Sequence, residues 1–271
     1  MIPRALTIAG SDSGGGAGIQ ADLKTFTVHR VFGTSAVTAL TAQNTTGVSG
    51  ILAIPADFVR RQIDAVLSDI GADAIKTGML ANAEITRTVA EAIAEHRVRA
   101  VVVDPVLVAQ SGASLLMDDA VAVLIAELLP LATIVTPNLA EAETLTGEPV
   151  RSVEQMKRAA AALCAMGARA CLVKGGHLDS GDAVDILCAG GEIAELRASR
   201  VASRHTHGTG CQLAAAIAAN LAAGAPLATA VGRAKQFITA AIRDGLQLGA
   251  GCGPANPLAW IRTTCADREE G

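Results

Sequence analysis

The sequence predicts an α/β protein in which helices pack against a mainly parallel β-sheet. Short apolar runs rich in Val, Ile and Ala alternate along the chain with longer segments of helical composition, which is the pattern of βαβ units. Polar residues and glycines gather where several apolar runs end, as expected at the ligand-binding edge of such a sheet. The 271 residues, 51% of them hydrophobic, suit one large core, so we expect residues 1–271 to form a single domain.

The chain begins with a predicted strand, a glycine-rich loop and a helix, at 4–9, 10–18 and 19–30. The glycines do not follow the G-x-G-x-x-G spacing of a dinucleotide fingerprint, and no Lys-Ser/Thr ending makes a Walker A loop. A loop this rich in glycine lets a ligand lie against the backbone or forms a hinge, with Asp12 and Asp22 as polar handles. A solvated turn explains these residues equally well.

The next predicted strand, at 33–43, is rich in Thr, Val and Ala and ends in the polar cluster 43–47. Gln43 carries an amide donor and a carbonyl acceptor, so it is able to read an aminopyrimidine-like edge if it faces a pocket. A further short strand is predicted at 48–54, and an amphipathic helix follows at 57–70.

In the middle of the chain, predicted strands alternate regularly with predicted helices. Strands are predicted at 74–77, 98–103, 133–136 and 170–173, and helices at 82–96, 118–129 and 153–166. Asp104 and Lys174 each follow one of these buried strands. The carboxyl ends of parallel strands form the edge where open α/β sheets bind ligands, so we expect both side chains there. Lys174, with paired glycines after it, is able to reach a phosphate.

A helix is predicted to open at 137–141, and two interpretations of its first residues remain open. Asn138 and Glu141 are three residues apart and share a helical face, and oxygen ligands of this kind suit Mg²⁺ or its water shell. Alternatively, Asn138 is an N-cap and Glu141 its capping-box partner. The motif alone favours the cap.

The last third of the chain holds a predicted hairpin, formed by strands at 182–187 and 192–201, and two helices at 209–223 and 227–248. The stretch before the first of these helices reads THGTGC, and its glycines and the helix N-terminus suit a bound phosphate. Cys211 lies in the first turn, where the helix dipole favours a thiolate that acts as base or nucleophile. A tight turn with a buried cysteine is the simpler interpretation of the isolated motif.

The charge balance and composition exclude several classes of partner. The net charge is −4, from 22 basic and 26 acidic residues without a Lys/Arg block, so we expect no nucleic acid and no membrane surface as partner. Tyr is absent and only one Trp and four Phe occur, too few for base stacking. No signal-peptide pattern or membrane-spanning run is visible, so we expect a cytoplasmic location. The six cysteines contain no C-x-x-C pair and favour neither a zinc site nor disulfides.

Seven motifs occur in order along the chain: GSDSGGGAGIQAD at 10–22, TALTAQNT at 38–45, KTGML at 76–80, VVDPV at 102–106, TPNLAEAE at 136–143, VKGGH at 173–177 and THGTGC at 206–211. With these motifs the sequence resembles the bacterial hydroxymethylpyrimidine and phosphomethylpyrimidine kinases of thiamine biosynthesis, within the ribokinase-like superfamily. The resemblance implies a three-layer α/β/α fold. It also implies a kinase that uses ATP and Mg²⁺ to phosphorylate hydroxymethylpyrimidine and then the monophosphate, acting as a homodimer.

The resemblance assigns roles to individual residues. It implies an anion hole over the transferring phosphoryl group formed by Gly208, Thr209, Gly210 and Cys211, with Cys211 in place of the aspartate base of related sugar kinases. It implies a pyrimidine site formed by Gly10, Asp22, Gln43, Met79 and Val106, in which Gln43 hydrogen-bonds the aminopyrimidine and Met79 covers the ring. It implies metal-associated residues Asp104, Asn138 and Glu141, and contacts to the ATP phosphates from Lys174 and Thr209.

The sequence departs from the family pattern in a few places, which bear on the lid contacts and on nucleotide affinity. Gln110 and Ala113 stand where Lys and Asp are expected, Arg204-His205 replace a more neutral pair, and Gln212 replaces a small hydroxyl residue. Three other functions remain as alternatives. They are a pyridoxal kinase, a non-catalytic pyrimidine-binding module on the same fold, and a dinucleotide oxidoreductase, which the broken glycine fingerprint disfavours.

Overall fold

The computed structural model of the protein describes residues 2–107, 118–176 and 181–262. In this part of the chain the strands are β1 (Arg4–Ala9), β2 (Phe32–Val37), β3 (Ala39–Asn44), β4 (Gly47–Ala53), β5 (Ala74–Thr77), β6 (Ala100–Val103), β7 (Ile134–Val135), β8 (Ala170–Val173), β9 (Asp182–Ala189) and β10 (Glu192–Ser199). The helices are α1 (Gly18–Val28), α2 (Ala56–Asp69), α3 (Ala83–His96), α4 (Asp118–Val123), α5 (Leu139–Thr146), α6 (Val153–Ala165), α7 (Thr209–Ala222) and α8 (Leu227–Arg243).

Eight strands form the main sheet, in the order β10-β9-β8-β7-β6-β5-β1-β2. The six from β8 to β2 run parallel, and β9 and β10 complete one edge as an antiparallel hairpin. Strands β3 and β4 form a separate two-stranded antiparallel sheet. The parallel strands β5 and β8 are buried at every residue, because helices cover both faces of the sheet.

Side chains from the two faces of the sheet enter two separate cores. In β1, Leu6 and Ile8 pack in one core with residues of α2, α3, α5 and α6. The neighbouring Ala5 points to the other face, where it packs with residues of α1, α7 and α8. This alternation follows from the two-residue period of a strand. The predicted three-layer α/β/α fold is therefore confirmed.

Helix α7 packs closely against the sheet because its side chains are small. Its buried residues include the run Ala214–Ala216 and most of the following turn, and it contacts β1, β5 and β6. A helix that is apolar all round is expected to be buried, and short alanine side chains let its backbone approach the strands. Among the helices in the described residues, neither α7 nor any other is long and apolar enough to cross a membrane.

Three predicted elements differ from the structure. The single strand at 33–43 is wrong, because the chain leaves the main sheet at Thr38 and continues as β3 in the small sheet. The single helix at 118–129 changes after Val123 into a π-helical turn, Leu124–Leu128, and then a 3-10 turn. Helix α8 ends at Arg243, five residues before the predicted end.

Candidate active site

A cavity of about 840 Å³ lies at the carboxyl edge of the sheet, where β5, β6 and β8 end beside the first turn of α7. Its lining includes all the predicted site residues except Asp22, namely Gly10, Gln43, Met79, Asp104, Val106, Asn138, Glu141, Lys174, Gly208, Thr209, Gly210 and Cys211. Parallel strands end at a common edge, and this brings residues from distant parts of the sequence together. The volume suits a small-molecule ligand.

The first turn of α7, the predicted anion hole, lies on the cavity wall. Gly208, directly before the helix, has a φ of 78°, a left-handed conformation that favours glycine. A Cβ at this position would overlap the carbonyl oxygen of Gly16, so a glycine is required where the two loops meet. The first N–H groups of a helix have no acceptor within the helix, and with the positive end of its dipole they favour a bound anion.

The ammonium group of Lys174 lies against this anion hole. A Cβ placed on Gly210 would be 3.2 Å from Lys174 Nζ, so the missing side chain at Gly210 permits the approach. Nζ donates a hydrogen bond to Asp104 Oδ1 at 3.0 Å and lies 4.0 Å from Glu141 Oε2. Burial disfavours the charged form, but attraction by Asp104 and Glu141 outweighs it and raises the pKa of Lys174. The side chain therefore stays positive.

Glu141 lacks full neutralisation and is held in place by a capping box. Burial, partly opposed by attraction to Lys174 and supported by repulsion from Asp104, raises its pKa to about 7. The Asn138 N–H donates to Glu141 Oε2 at 2.7 Å, and the Glu141 N–H donates to Asn138 Oδ1 at 2.9 Å. The capping-box interpretation of this pair is confirmed, and the cap fixes the carboxylate beside Lys174.

The oxygen donors here fit a Mg²⁺ ion that takes most of its ligands from phosphate and water. Within the described ranges, no three His, Cys, Asp or Glu side chains cluster closely enough to hold a metal by themselves. Asp104 and Glu141, however, share the single ammonium of Lys174, and burial together with repulsion by Asp104 raises the pKa of Glu141, so a cation would stabilise its charged form. One or two carboxylates with substrate phosphates are the usual protein ligands of Mg²⁺.

The half-buried thiol of Cys211 is neutral at neutral pH, contrary to the predicted thiolate. Burial, together with the negative charges of Asp104 and Asp22, raises its pKa to about 11. Lys76 and a hydrogen bond from the backbone of Gly18 act in the opposite direction without outweighing these effects. The helix N-terminus alone is a poor guide to the ionisation of a cysteine when carboxylates lie nearby.

At the cavity floor, where Lys76 belongs to the lining, lies an ion pair that the sequence reasoning assigned differently. Lys76 Nζ donates to Asp22 Oδ2 at 2.9 Å, and both side chains are 0% exposed. Thr7 Oγ1 donates to the same oxygen at 2.6 Å. The prediction that Asp22 lines the cavity is therefore wrong, because the side chain faces Lys76 inside the protein. Burial disfavours the lysine charge, but attraction by Asp22 outweighs it and raises the pKa of Lys76.

A third part of the cavity is formed by the small sheet and the first glycine loop. The Gln43 N–H donates to Ser13 Oγ at 2.8 Å, and the Ser13 hydroxyl donates to the Gln43 carbonyl at 3.1 Å. Gln43 Oε1 also accepts from Thr41 Oγ1 at 3.2 Å. A Cβ on Gly10 would lie 3.2 Å from Met79 Sδ, so the bare backbone of Gly10 faces the thioether. This part of the cavity offers an amide and an apolar wall to a flat ring.

Two polar pairs in the cavity wall were missed by the sequence reasoning. Asp12 accepts from the N–H groups of the glycine loop and forms a 2.8 Å hydrogen bond with His207 Nε2, which joins this loop to the anion hole. Lys235 Nζ lies 2.6 Å from Asp185 Oδ2, and the other oxygen of Asp185 accepts from the Gly175 N–H. Asp12, a predicted polar handle of the glycine loop, and His207, in the THGTGC motif, carried signals in the sequence, whereas Lys235 and Asp185 did not.

The departures from the family pattern separate into two kinds. Gln110 and Ala113 lie outside the described residues. Gln212 is buried and its Nε2 donates to the Ala255 carbonyl at 3.1 Å, so it ties the C-terminal segment to α7. The carbonyl of Arg204 accepts from Cys252 Sγ. These contacts are structural and leave the lining of the cavity intact.

Comparison with known proteins agrees with this geometry. A family model described as phosphomethylpyrimidine kinase matches residues 12–256. The chain is 52% identical over 259 residues to the hydroxymethylpyrimidine/phosphomethylpyrimidine kinase of Rhizobium meliloti, with 94% of this chain and 97% of the relative covered. It is 56% identical over 253 residues to the thiamine biosynthesis bifunctional protein ThiED of Geobacter sulfurreducens, covering 93% of this chain but spanning only 52% of that longer protein.

A solved structure supports the same assignment at the level of the fold. The ADP complex of Bacillus subtilis pyridoxal kinase superposes with a TM-score of 0.90 at 40% identity, covering 96% of this chain and 98% of that one. The family match nevertheless extends over most of the chain and includes the glycine loop, the carboxyl-edge residues and the anion hole. The chain therefore belongs to the phosphomethylpyrimidine kinase family, whose members are phosphotransferases.

Proposed function

We propose that the protein transfers the γ-phosphoryl group of ATP to the hydroxymethyl group of hydroxymethylpyrimidine, and then a second phosphoryl group to the monophosphate. One observation carries the proposal. A single cavity joins an anion hole and the Lys174 ammonium to the ring-binding surface formed by Gly10, Gln43 and Met79. The name of the Rhizobium meliloti relative supports the same two acceptors.

The ATP phosphates are proposed to lie along the first turn of α7, contacted by Thr209 and Lys174. Phosphoryl transfer depends mainly on positioning and on stabilising charge, and the backbone N–H groups and the ammonium supply both here. The ADP complex of the related pyridoxal kinase supports ATP as the donor.

We also propose that Mg²⁺ accompanies ATP and is held through Asp104 and Glu141, with Asn138 fixing Glu141. When bound, the ion would offset negative charge on the phosphates. Lys174 has a further role in this proposal. Its ammonium lies between the two carboxylates and is positioned to turn from them to a phosphate of ATP.

Cys211 is proposed as the proton acceptor for the first transfer only. The attacking alcohol must lose a proton, and a positioned base helps. With a pKa of about 11, Cys211 supplies little thiolate at neutral pH and more as the pH rises. The monophosphate has a second pKa near 6, as other phosphate monoesters do, so its attacking oxygen is already anionic and needs no base.

Pyridoxal kinase activity is the second candidate, because the pyridoxal kinase fold covers nearly the whole chain. A non-catalytic pyrimidine-binding module is the third, and the combination of Cys211, Lys174 and the Asn138/Glu141 pair argues against it.

The test is to incubate the protein with ATP, Mg²⁺ and either hydroxymethylpyrimidine or pyridoxal, and to identify the products by mass. We expect a pyrimidine diphosphate. Phosphorylation of pyridoxal alone would favour the second candidate, and ring binding without any product would favour the third.

We further infer that the chain acts as a single domain in a cytoplasmic homodimer. The family resemblance motivates the dimer, and exposed apolar side chains of the small sheet, Leu40, Ile51 and Leu52, offer a surface that a second copy would cover. Sedimentation equilibrium of the purified chain tests the dimer, and a monomer at all concentrations would contradict it.

A further inference from the structure

A second cavity, of about 410 Å³, lies at the amino edge of the sheet, opposite the active site. Its lining includes Arg97 and Arg99, just before β6, Leu131, before β7, and Arg169, directly before β8. The carboxyl ends of the same strands lead into the active site. Arg99 and Asp104 are separated by the length of β6, about 17 Å at the usual rise per residue. The two cavities are therefore separate binding spaces.

Three arginines surround this second cavity without neutralising partners. None of the guanidinium groups of Arg97, Arg99 and Arg169 has a hydrogen bond or ion pair with the residues that the structure describes. Some other arginines of this acidic chain, such as Arg4 and Arg60, pair with carboxylates. Positive charges gathered on one cavity repel one another, and a bound anion would relieve this repulsion.

Arg97 is held in an unusual backbone conformation. It is the C-cap of α3, with a φ of 53° in the left-handed region, where glycine is the common residue. The negative end of the helix dipole gives Arg97 some stabilisation, but it does not account for Arg99 and Arg169.

The rest of the cavity is apolar. Val98 and Leu131 are half-buried, and Pro130 completes the wall next to the arginines. Guanidinium groups bind phosphate oxygens through paired hydrogen bonds, and a volume of this size is within the range of small-molecule sites. We propose that this cavity binds a small phosphorylated compound, with its phosphates between the three guanidinium groups and its apolar part against Val98, Pro130 and Leu131.

The experiment is calorimetric titration of the full chain with inorganic diphosphate in the absence of Mg²⁺. Because the active site also binds phosphates, the Lys174→Gln variant serves to remove that site. Arg99→Gln/Arg169→Gln removes the proposed one, and Arg233→Gln is the matched control, an exposed arginine of α8 without a partner among the described residues. We expect two classes of site in the parent and in Arg233→Gln. The double arginine variant should keep only the active-site class, which is the class that Lys174→Gln loses, and its kcat and KM should be unchanged.

The proposal is overturned if the double arginine variant binds diphosphate as the parent does, or if the parent has one class that Lys174→Gln abolishes. Phenyl phosphate and inorganic phosphate, compared in the Lys174→Gln background, test the apolar wall. We expect phenyl phosphate to bind several-fold more tightly, and equal affinities would contradict the proposed role of Val98, Pro130 and Leu131. Arginine-dependent binding to phosphatidic acid vesicles without binding of the soluble probes would assign the arginines to a lipid headgroup and also overturn it.

Discussion

Two buried lysines at the carboxyl edge of the sheet occupy contrasting environments. Lys76 belongs to the cavity floor, and it and its partner Asp22 are both inaccessible to solvent and form a one-to-one pair. Lys174 is 14% exposed, faces the cavity and is shared between two carboxylates. The first pair is balanced and sealed, whereas the second group has an excess of negative charge and an open side.

Charge balance and access to the cavity give the two lysines different roles. If Lys76 and Asp22 separate, each is left as a buried charge without a partner, which costs free energy. Lys76 therefore stabilises the fold, and its positive charge also acts on Cys211. The group around Lys174 is open to the cavity and has more carboxylates than ammonium groups. A bound cation would neutralise the carboxylates, and a bound phosphate would pair with the Lys174 ammonium. Lys174 and its partners are therefore the part of the site that responds to ligands.

Removing Lys76 should have the largest effect. Lys76→Met leaves Asp22 buried without a partner, and we expect the free energy of unfolding to fall by about 3–5 kcal/mol. Denaturant titration measures it. The double variant Lys76→Met/Asp22→Leu removes both charges and should recover most of the loss. If Lys76→Met alone is as stable as the parent, the pair is not structural.

Removing Lys174 should damage activity more than stability. Lys174→Met takes a preorganised cation away from the anion hole, and losses of about 10²- to 10³-fold in kcat are typical for removing one such group. Steady-state kinetics and thermal unfolding of the same preparation measure the two effects. A variant that keeps its turnover, or that unfolds as readily as Lys76→Met, would remove the distinction between the two lysines.

Glu141 should make stability depend on pH. Its pKa rises from 4.5 to about 7 on folding, so the folded state binds more protons between these values. The contribution of Glu141 to the free energy of unfolding is then highest below pH 4.5. It declines as the pH rises towards 7, by at most about 3 kcal/mol. Glu141→Gln keeps a capping-box residue and should lack this decline.

The same variant separates the two roles of Glu141. Glu141→Gln should be more stable than the parent at pH 8 and yet turn over more slowly, with a higher Mg²⁺ requirement, because it removes a negative charge near the proposed metal. Urea titrations at pH 5 and pH 8, together with a Mg²⁺ titration of activity, measure both. Unchanged turnover and unchanged Mg²⁺ dependence would leave Glu141 as a cap alone.

Cys211 interacts electrostatically with both lysines, and it should affect the two acceptors differently. Its thiolate increases about tenfold per pH unit below a pKa of about 11, so kcat/KM for the alcohol should rise between pH 7 and 9. For the monophosphate it should stay level. Cys211→Ala should lose the rise and slow the first transfer more than the second. Equal losses for both acceptors, with circular dichroism unchanged, would contradict the proposed base.

Gln43 lies in the small sheet and makes no contact with either lysine among the described hydrogen bonds, so its replacement should have the smallest effect. Gln43→Leu would leave polar ring atoms unpaired and is expected to weaken pyrimidine binding by about 1–3 kcal/mol while sparing ATP. Separate binding titrations measure the two affinities. Equal weakening of both would indicate a damaged fold.

Much of the site could be predicted from the sequence because its signals are local. Glycines beside an apolar helix indicate an anion hole, and polar residues after buried strands indicate the carboxyl edge, so Gly208, Asp104 and Lys174 were assigned without knowledge of their neighbours. The capping box of Asn138 and Glu141 is equally local, since its partners are three residues apart. Short-range spacing determines these features.

Only the tertiary structure decided features whose partners are distant in sequence. The run 33–43 has one composition but two pairing partners, so its division into β2 and β3 depends on β1 and β4. Asp22 is a sealed ion-pair partner because Lys76, 54 positions away, reaches it. The neutral thiol of Cys211 depends in the same way on burial and on carboxylates from other strands and helices. Electrostatic and pairing energies depend on distances in space, which a local pattern does not contain.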